Sequence, residues 1–587
     1  MLPKRTLLFP YANLSKSLTP LLLVAGLSVG LHAQEAAATQ APKPLTNEMA
    51  EAIKKEGIDN SSVHRILRDM TGKIGHRLTG SDNFTKACLW AKGEFEQMGL
   101  DVELEQWAEW NIIWNRRKWI GRIVEPVAFD MYVATDAWTA ATDGLQTGGF
   151  VGVPDSEEEM AACKDKWVLA KNKPNTNRRK AITEAGALGI VYRARDPNEQ
   201  FPTRVRVFGN SRIARMTMDD VPTMPEIAVR ADDFDRLMGL FEEDATKVVA
   251  QFDIQNEFKP GPIKLHNVVA TLRGTEKPDE CVIISSHLDS WHQAQGTTDN
   301  GTGSATTMEA ARILMAVGAK PKRTIKFCLW GGEEQGLLGS GAYVKAHRTD
   351  MNNVSAVFNH DTGTNWAQSL TVTHKMHEQL EPVFAQVTRL LTPPDEDFEG
   401  PVFNLRPVAQ IGGGRGGSDH ASFLAVKVPG LGWGLKGRSN YFQHTWHTQW
   451  DTFDNAIEEY QRHTATVIAM AALGTANLEE MLDREGITTR RRGRGQSSGF
   501  AGNWFDAEFK GLTFASVKPD GRAHKLGIKN GDVLFKIDGR KVDSMRQLFQ
   551  FARESKGEKL KVAVKRGDKV VEVSMPKTDM RRRRRGR

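Results

Sequence analysis

Between residues 262 and 480 the chain repeats one pattern. A short apolar run ends on polar residues, and a helical stretch follows. The runs are CVIISSHLDS (281–290), TIKFCLWGGEE (324–334) and AVFNHDTG (356–363), with TMEAARILMAVG (307–318) between the first two. Strands that are apolar on both faces must be covered on both faces. Their alternation with helices dictates an α/β domain built on a mainly parallel sheet. In such sheets ligand-binding groups gather at the carboxyl ends of the strands.

The polar residues fall where that rule puts them. His287 and Asp289 follow the apolar run 282–286, Glu333 and Glu334 follow 325–330, and Asp361 follows 354–358. Asp299 lies in the loop that enters the next helix. One histidine near a strand end is usually structural, but four clusters converging on one sheet edge point to a metal site. Zinc takes imidazole nitrogen and carboxylate oxygen and keeps a position open for water in catalytic sites. Two zinc ions about 3.5–4 Å apart need a carboxylate between them. A further carboxylate is needed to carry the proton from water to the leaving amine. Adjacent glutamates can divide those duties.

These motifs, with a final His447-Thr-x-x-Asp451-Thr, resemble the co-catalytic zinc aminopeptidase and glutamate carboxypeptidase family. HLDSW (287–291), PKRT (321–324) and LWGGEEQG (329–336) narrow the likeness to its plasma glutamate carboxypeptidase type, over roughly residues 46–484. The resemblance implies two Zn2+, with Asp299 bridging them. It gives His287 and Asp361 to one ion, Glu334 and His447 to the other. It makes Glu333 the general base, with Asp289 orienting His287, and implies a cis peptide at Asp299-Asn300. His444 is also followed by Thr, but only His447 has Asp at its fourth position. Many members carry Tyr or His just before this last ligand to hold the oxyanion. Here the residue is Trp446, which leaves the oxyanion partner open. Trp446 therefore joins Trp291, Asp419 and His420 as substrate-contact candidates. His292, beside Trp291, is a further pocket-lining expectation.

The remaining sequence divides around this domain, expected at 46–130 and 259–484. Residues 1–33 carry Lys4, Arg5 and Lys16 ahead of an apolar run, the layout of a secretory signal peptide. That implies an exported protein, periplasmic or extracellular, with no membrane span after cleavage. GLSVG (26–30) fits a serine-hydrolase pattern but lies inside this leader. Segment 131–258, through GFVGVPDS and AGALGIVY, resembles a β-rich protease-associated (PA) insert. After an Arg/Gly-rich linker (485–502), segment 503–577 resembles a PDZ domain through AHKLGIKNGDVLFKIDGRKV, and such domains bind peptide C-termini by strand addition. A basic tail (578–587) ends the chain.

The formal charge of +7 misleads, because ten arginines lie in the linker and tail. Without those ten and the three leader cations the body is near −6, so no nucleic-acid-binding domain is indicated. Four cysteines form no CxxC pair, which argues against a cysteine zinc site. Cys281 and Cys328 read as buried thiols.

The expectation is an exported dizinc exopeptidase acting on short peptides from an end the sequence leaves open. Two alternatives stand beside it. One is a non-catalytic scaffold working through its PA and PDZ domains. The other is a zinc amidohydrolase or cyclase on the same scaffold.

Overall fold

The computed structural model describes residues 44–194, 200–412, 417–489, 505–555, 557 and 559–576. The leader, most of the linker and the basic tail lie outside the described residues.

The main sheet runs, from one edge, Asn404–Val408, Trp366–Thr373, Gly430–Lys436, Val354–Asn359, Lys277–His287, Arg323–Trp330 and Val249–Leu272. The middle four strands are parallel. Val249–Leu272 is antiparallel to its neighbour, as is Trp366–Thr373 to Gly430–Lys436. Alternate residues of Arg323–Trp330 explain why an unbroken apolar run was needed. Ile325, Phe327 and Leu329 enter one core, shared with residues of helices Thr302–Ala316 and Glu458–Ala476. Cys328 and Trp330 enter another, with Tyr343 and Phe423. Burial of a side chain such as Phe327 contributes about 1.5–3 kcal/mol, so both faces hold the strand in register.

Two very long strands, Asp101–Glu125 and Val249–Leu272, form an antiparallel ribbon that leads out of this sheet. The insert hangs on its far end. There Gln146–Gly152 pairs with the start of Val249–Leu272, followed by Trp167–Ala170, Gly189–Arg193, Glu226–Val229 and Val133–Thr135. The strand Val249–Leu272 passes through residue 258 without a break, because insert and main domain share the ribbon. The insert is mixed rather than purely β, with helices Thr176–Glu184 and Ala231–Asp244. Phe150, Trp167, Val191 and Phe252 lie in its own core.

At the C-terminal end a separate antiparallel sheet is built from Ala507–Lys510, Thr513–Val517, Val533–Ile537, Lys559–Arg566 and Lys569–Pro576. Phe505, Phe514, Ile537, Leu548 and Val562 form its core. All four cysteines are free and buried. Among the described residues no helix is long and apolar enough to cross a membrane.

Candidate metal centre

The site begins at three adjacent carboxyl-terminal strand ends. His287 is the last residue of Lys277–His287 and lies in register with Trp330 of the next strand. Glu333 and Glu334 follow Trp330 across a Gly-Gly turn, and Asp361 follows Val354–Asn359. Asp299 reaches the same point from the turn Thr297–Gly301 that starts the helix Thr302–Ala316. The peptide Asp299-Asn300 is cis.

These residues form two groups with one member in common. His287, Asp299 and Asp361 make the first, and Asp299, Glu334 and His447 the second. Asp299 Oδ1 lies 3.4 Å from His287 Nε2, and its Oδ2 lies 3.3 Å from His447 Nε2. His287 Nε2 is 3.5 Å from Asp361 Oδ1, and His447 Nε2 is 3.1 Å from Glu334 Oε2. His444 belongs to neither group. Its ring stacks on Phe201 at 4.6 Å and lies 4.9 Å from Trp450.

The donor set fits metal ions. His287 Nε2, Asp299 Oδ2 and Glu334 Oε1 are buried and accept or donate no hydrogen bond, and a buried polar atom without a partner is costly. Crowded carboxylates show the same strain. Burial, then the neighbouring Asp299, pushes the Glu334 carboxyl up to about 7. Burial also drives Glu333 well above the usual carboxylate range, reinforced by Asp361 and Glu334. Burial opposes charge on His447, yet Glu334 and Asp299 hold its imidazole up to about 9. Cations at the two groups would neutralise this repulsion.

A surrounding shell fixes the ligands. The Asp289 carboxylate accepts from Thr79 Oγ1 at 3.0 Å, from the Glu333 N–H at 3.1 Å and from the Glu334 N–H at 3.3 Å. It stands 3.6 Å from His287 Nδ1. The atom within hydrogen-bond reach of Nδ1, at 3.0 Å, is the Asp289 main-chain carbonyl. The Asp289 side chain thus stands beside the imidazole and also holds the glutamate turn, while its main-chain carbonyl meets Nδ1. Arg77, fully buried, donates to the carbonyls of Leu288 (2.7 Å), Gly75 (3.0 Å), Gln295 (2.9 Å) and Gly296 (2.7 Å). It thereby ties together the loop between His287 and Asp299. Arg77 belongs to the stretch GHRLTGS (75–81), and these loop partners lie some 200 residues further along the chain.

Sequence reasoning also missed Tyr441. Its ring packs on Gly363, where φ is +113° and a Cβ would come within 3.0 Å of the Tyr441 Cβ. Its buried hydroxyl faces Asp299, with the carboxylates of Asp361 and Glu334 also near it. Burial and these neighbours raise the phenol far above its ordinary range, so it stays a donor. The only signal in the sequence was its nearness to His447.

The substrate candidates separate. Trp446 lies against the His447 ring, with centroids 4.3 Å apart, and Trp291 lies 5.8 Å away. Asp419 is fully buried and its carboxyl oxygens have no hydrogen-bond partner. Burial lifts it to about 7. His420 packs on Gly432. His292 turns away from the groups, its Nε2 2.9 Å from the Thr135 carbonyl and its ring edge-on to Trp114 and Trp119.

Comparison with known families agrees with this arrangement. Residues 267–472 match the model of peptidase family M28, and they span all five clustered residues. The part of the chain that carries the clustered residues is thus similar to the M28 peptidases. The chain is accordingly a hydrolase, and residues 513–566 match the model of a PDZ domain. Carboxypeptidase Q of Mus musculus is 26% identical over 425 residues, covering 70% of this chain and 85% of the relative. Carboxypeptidase Q of Homo sapiens is 26% identical over 439 residues, covering 72% and 87%. The crystal structure of a peptidase M28 precursor from Shewanella amazonensis superposes with a TM-score of 0.54 at 25% identity. It covers 74% of this chain and 98% of that one.

Proposed function

We propose that this protein is an exported dizinc exopeptidase that hydrolyses short peptides, with Asp299 bridging the ions. One observation carries the reading: the two oxygens of Asp299 each face a different buried imidazole, His287 and His447. In this assignment His287 and Asp361 complete one ion, and Glu334 and His447 the other. Bound there, zinc would supply Lewis acidity toward water and the peptide carbonyl.

The chain's own residues do the rest. Glu333 stands outside both groups and is the general base. It takes a proton from the attacking water and returns it to the leaving amine, so the amide plus water becomes a carboxylate and an amine. Burial raises its pKa, which suits a group that must hold that proton in mid-reaction. Asp289 fixes the backbone of Glu333 and Glu334. Tyr441 donates its hydroxyl toward the carbonyl oxygen as charge develops there, the duty Trp446 does not fill. The relatives named carboxypeptidase favour a free carboxyl end as the point of attack. The PDZ segment, with Lys510 to Phe514 at its carboxylate loop, is assigned to peptide C-termini.

The test is hydrolysis of dipeptides blocked at one end or the other, with and without a chelator, alongside metal analysis. About two zinc per chain and chelator-sensitive cleavage are expected. Cleavage only of amino-blocked peptides assigns the carboxyl end. Cleavage that survives chelation, or that persists in Glu333→Ala, overturns the mechanism.

A further inference from the structure

The insert reaches directly into the metal centre. The Val205 N–H donates to Gln449 Oε1 at 2.8 Å, and Gln449 Nε2 donates to the Thr203 carbonyl at 2.8 Å. The Val207 N–H donates to the carbonyl of His447 itself at 3.1 Å. Residue 206 forms a bridge with Thr448. A stretch of insert backbone is therefore laid along the loop that carries a candidate ligand.

The next residue is Phe208. Its N–H donates to Asp136 Oδ1 at 3.2 Å and its carbonyl accepts from the Ala137 N–H at 2.8 Å, so its backbone is fixed on both sides. Its ring lies 5.2 Å from the His447 imidazole and 6.4 Å from Trp446 and from Trp291. Beyond Trp446, at 5.8 Å, stands Phe442. The Arg206 guanidinium stacks on the Trp446 ring at 4.5 Å, which stiffens that wall. Trp291 is buried, but Phe208 is 37% exposed and Phe442 55% exposed. Two phenyl rings thus stand open to solvent, edge-on to a tryptophan, beside a metal-centre histidine. Aromatic rings in this arrangement gain from a further ring or alkyl group laid against them, and an apolar group covering them removes area worth about 25 cal/mol per Å².

We propose that Phe208 is a specificity-determining residue. With Trp446 and Phe442 it forms an apolar subsite beside His447 that takes an apolar side chain, aromatic by preference, from a peptide residue flanking the scissile bond. The proposal rests on the peptidase reading above, and adds to it the class of substrate and the part of the insert that selects it.

The experiment compares zinc-loaded wild type with Phe208→Ala and Phe208→Leu in two ways. The first is the ratio of kcat/KM for dipeptides carrying Phe to those carrying Ala, varied at each of the two positions in turn. The second is the ratio of Kd values for phenylalanine hydroxamate and glycine hydroxamate, read by calorimetry. Phe208→Ala is expected to lower the Phe-to-Ala preference at one position by about tenfold, the range of one pocket contact. Phe208→Leu should retain most of it, and the hydroxamate ratio should fall in parallel. Unchanged ratios, or equal losses on all substrates and both hydroxamates, overturn the subsite. Hydroxamate selectivity that disappears in Phe208→Ala, in a wild type that cleaves no peptide, upholds the subsite and overturns the peptidase reading instead.

Discussion

Asp451 holds Thr298 by two hydrogen bonds to one carboxylate oxygen, from the backbone N–H at 2.5 Å and from Oγ1 at 2.8 Å. Its other oxygen accepts from the Asp299 N–H at 3.3 Å. The residue four places after His447 thus positions the turn on which Asp299 stands, and Asp299 is the member common to both candidate ligand groups. Outer-shell partners of this kind tune metal affinity by about 10–100-fold. Asp451→Ala should weaken zinc binding by that factor, read by competition with a chromophoric chelator. Asp451→Asn, which keeps an acceptor for Thr298, should lose less. Wild-type affinity in Asp451→Ala would show that the turn holds itself.

Glu333 belongs to neither ligand group, so its removal should separate chemistry from metal binding. Glu333→Gln is expected to keep its zinc and to lower kcat by about 10²–10⁴-fold, with KM little changed. Metal analysis and steady-state kinetics on the same preparation check both halves. Loss of one zinc would reassign Glu333 as a ligand.

These two residues show how unevenly the site was written in the sequence. His287, Glu333, Glu334 and Asp361 were legible because a strand end is marked locally, by an apolar run giving way to polar residues. Fold class followed from the same runs. His447 was legible through Asp451 alone. Arg77, Tyr441 and the Asp451–Thr298 pair were not, since their partners lie between roughly 80 and 220 residues away and no local period records such contacts. The insert's approach was hidden for a further reason. Phe208 follows a stretch whose hydrogen bonds go to a loop 240 residues later, so it carries no strand or helix pattern of its own. The carboxylate of Asp289, placed near His287 by the resemblance, stands 3.6 Å from its Nδ1 and also accepts from the backbone N–H groups of Glu333 and Glu334, contacts that no local pattern marks.

Tyr441 makes a sharp kinetic prediction. Its hydroxyl faces Asp299, and loss of one donor to a developing oxyanion typically costs 10²–10³-fold in kcat, or about 3–4 kcal/mol. Tyr441→Phe keeps the ring that packs on Gly363, so zinc content and melting temperature should hold. A fall confined to kcat supports the role. An equal rise in KM would mark a ground-state contact instead, and no change would return the oxyanion to Trp446.

Metal removal should expose the charge stored in the centre. In the metal-free chain burial raises the Asp451 and Glu334 carboxyls to about 7, well above their ordinary range near 4. A carboxyl raised on folding is stabilised while protonated. Its contribution is present below the unfolded pKa, near 4, and is lost as pH rises through 7. His447, raised to about 9, adds in the same direction: its contribution is full below about 6.5 and is lost as pH climbs through 9. The buried, neutral His76, His292, His360 and His463 work the other way only up to about pH 6.5, so the metal-free chain should become progressively less stable from about pH 6.5 to pH 9. Zinc binds the deprotonated ligands and folded chain together, and stabilises by about 4 kcal/mol at a thousandfold excess over Kd. It should also reverse the slope, since rising pH favours metal-ligand formation. Thermal unfolding of the chelated and zinc-loaded forms at several pH values measures both slopes. Parallel curves would show that these groups hold no metal.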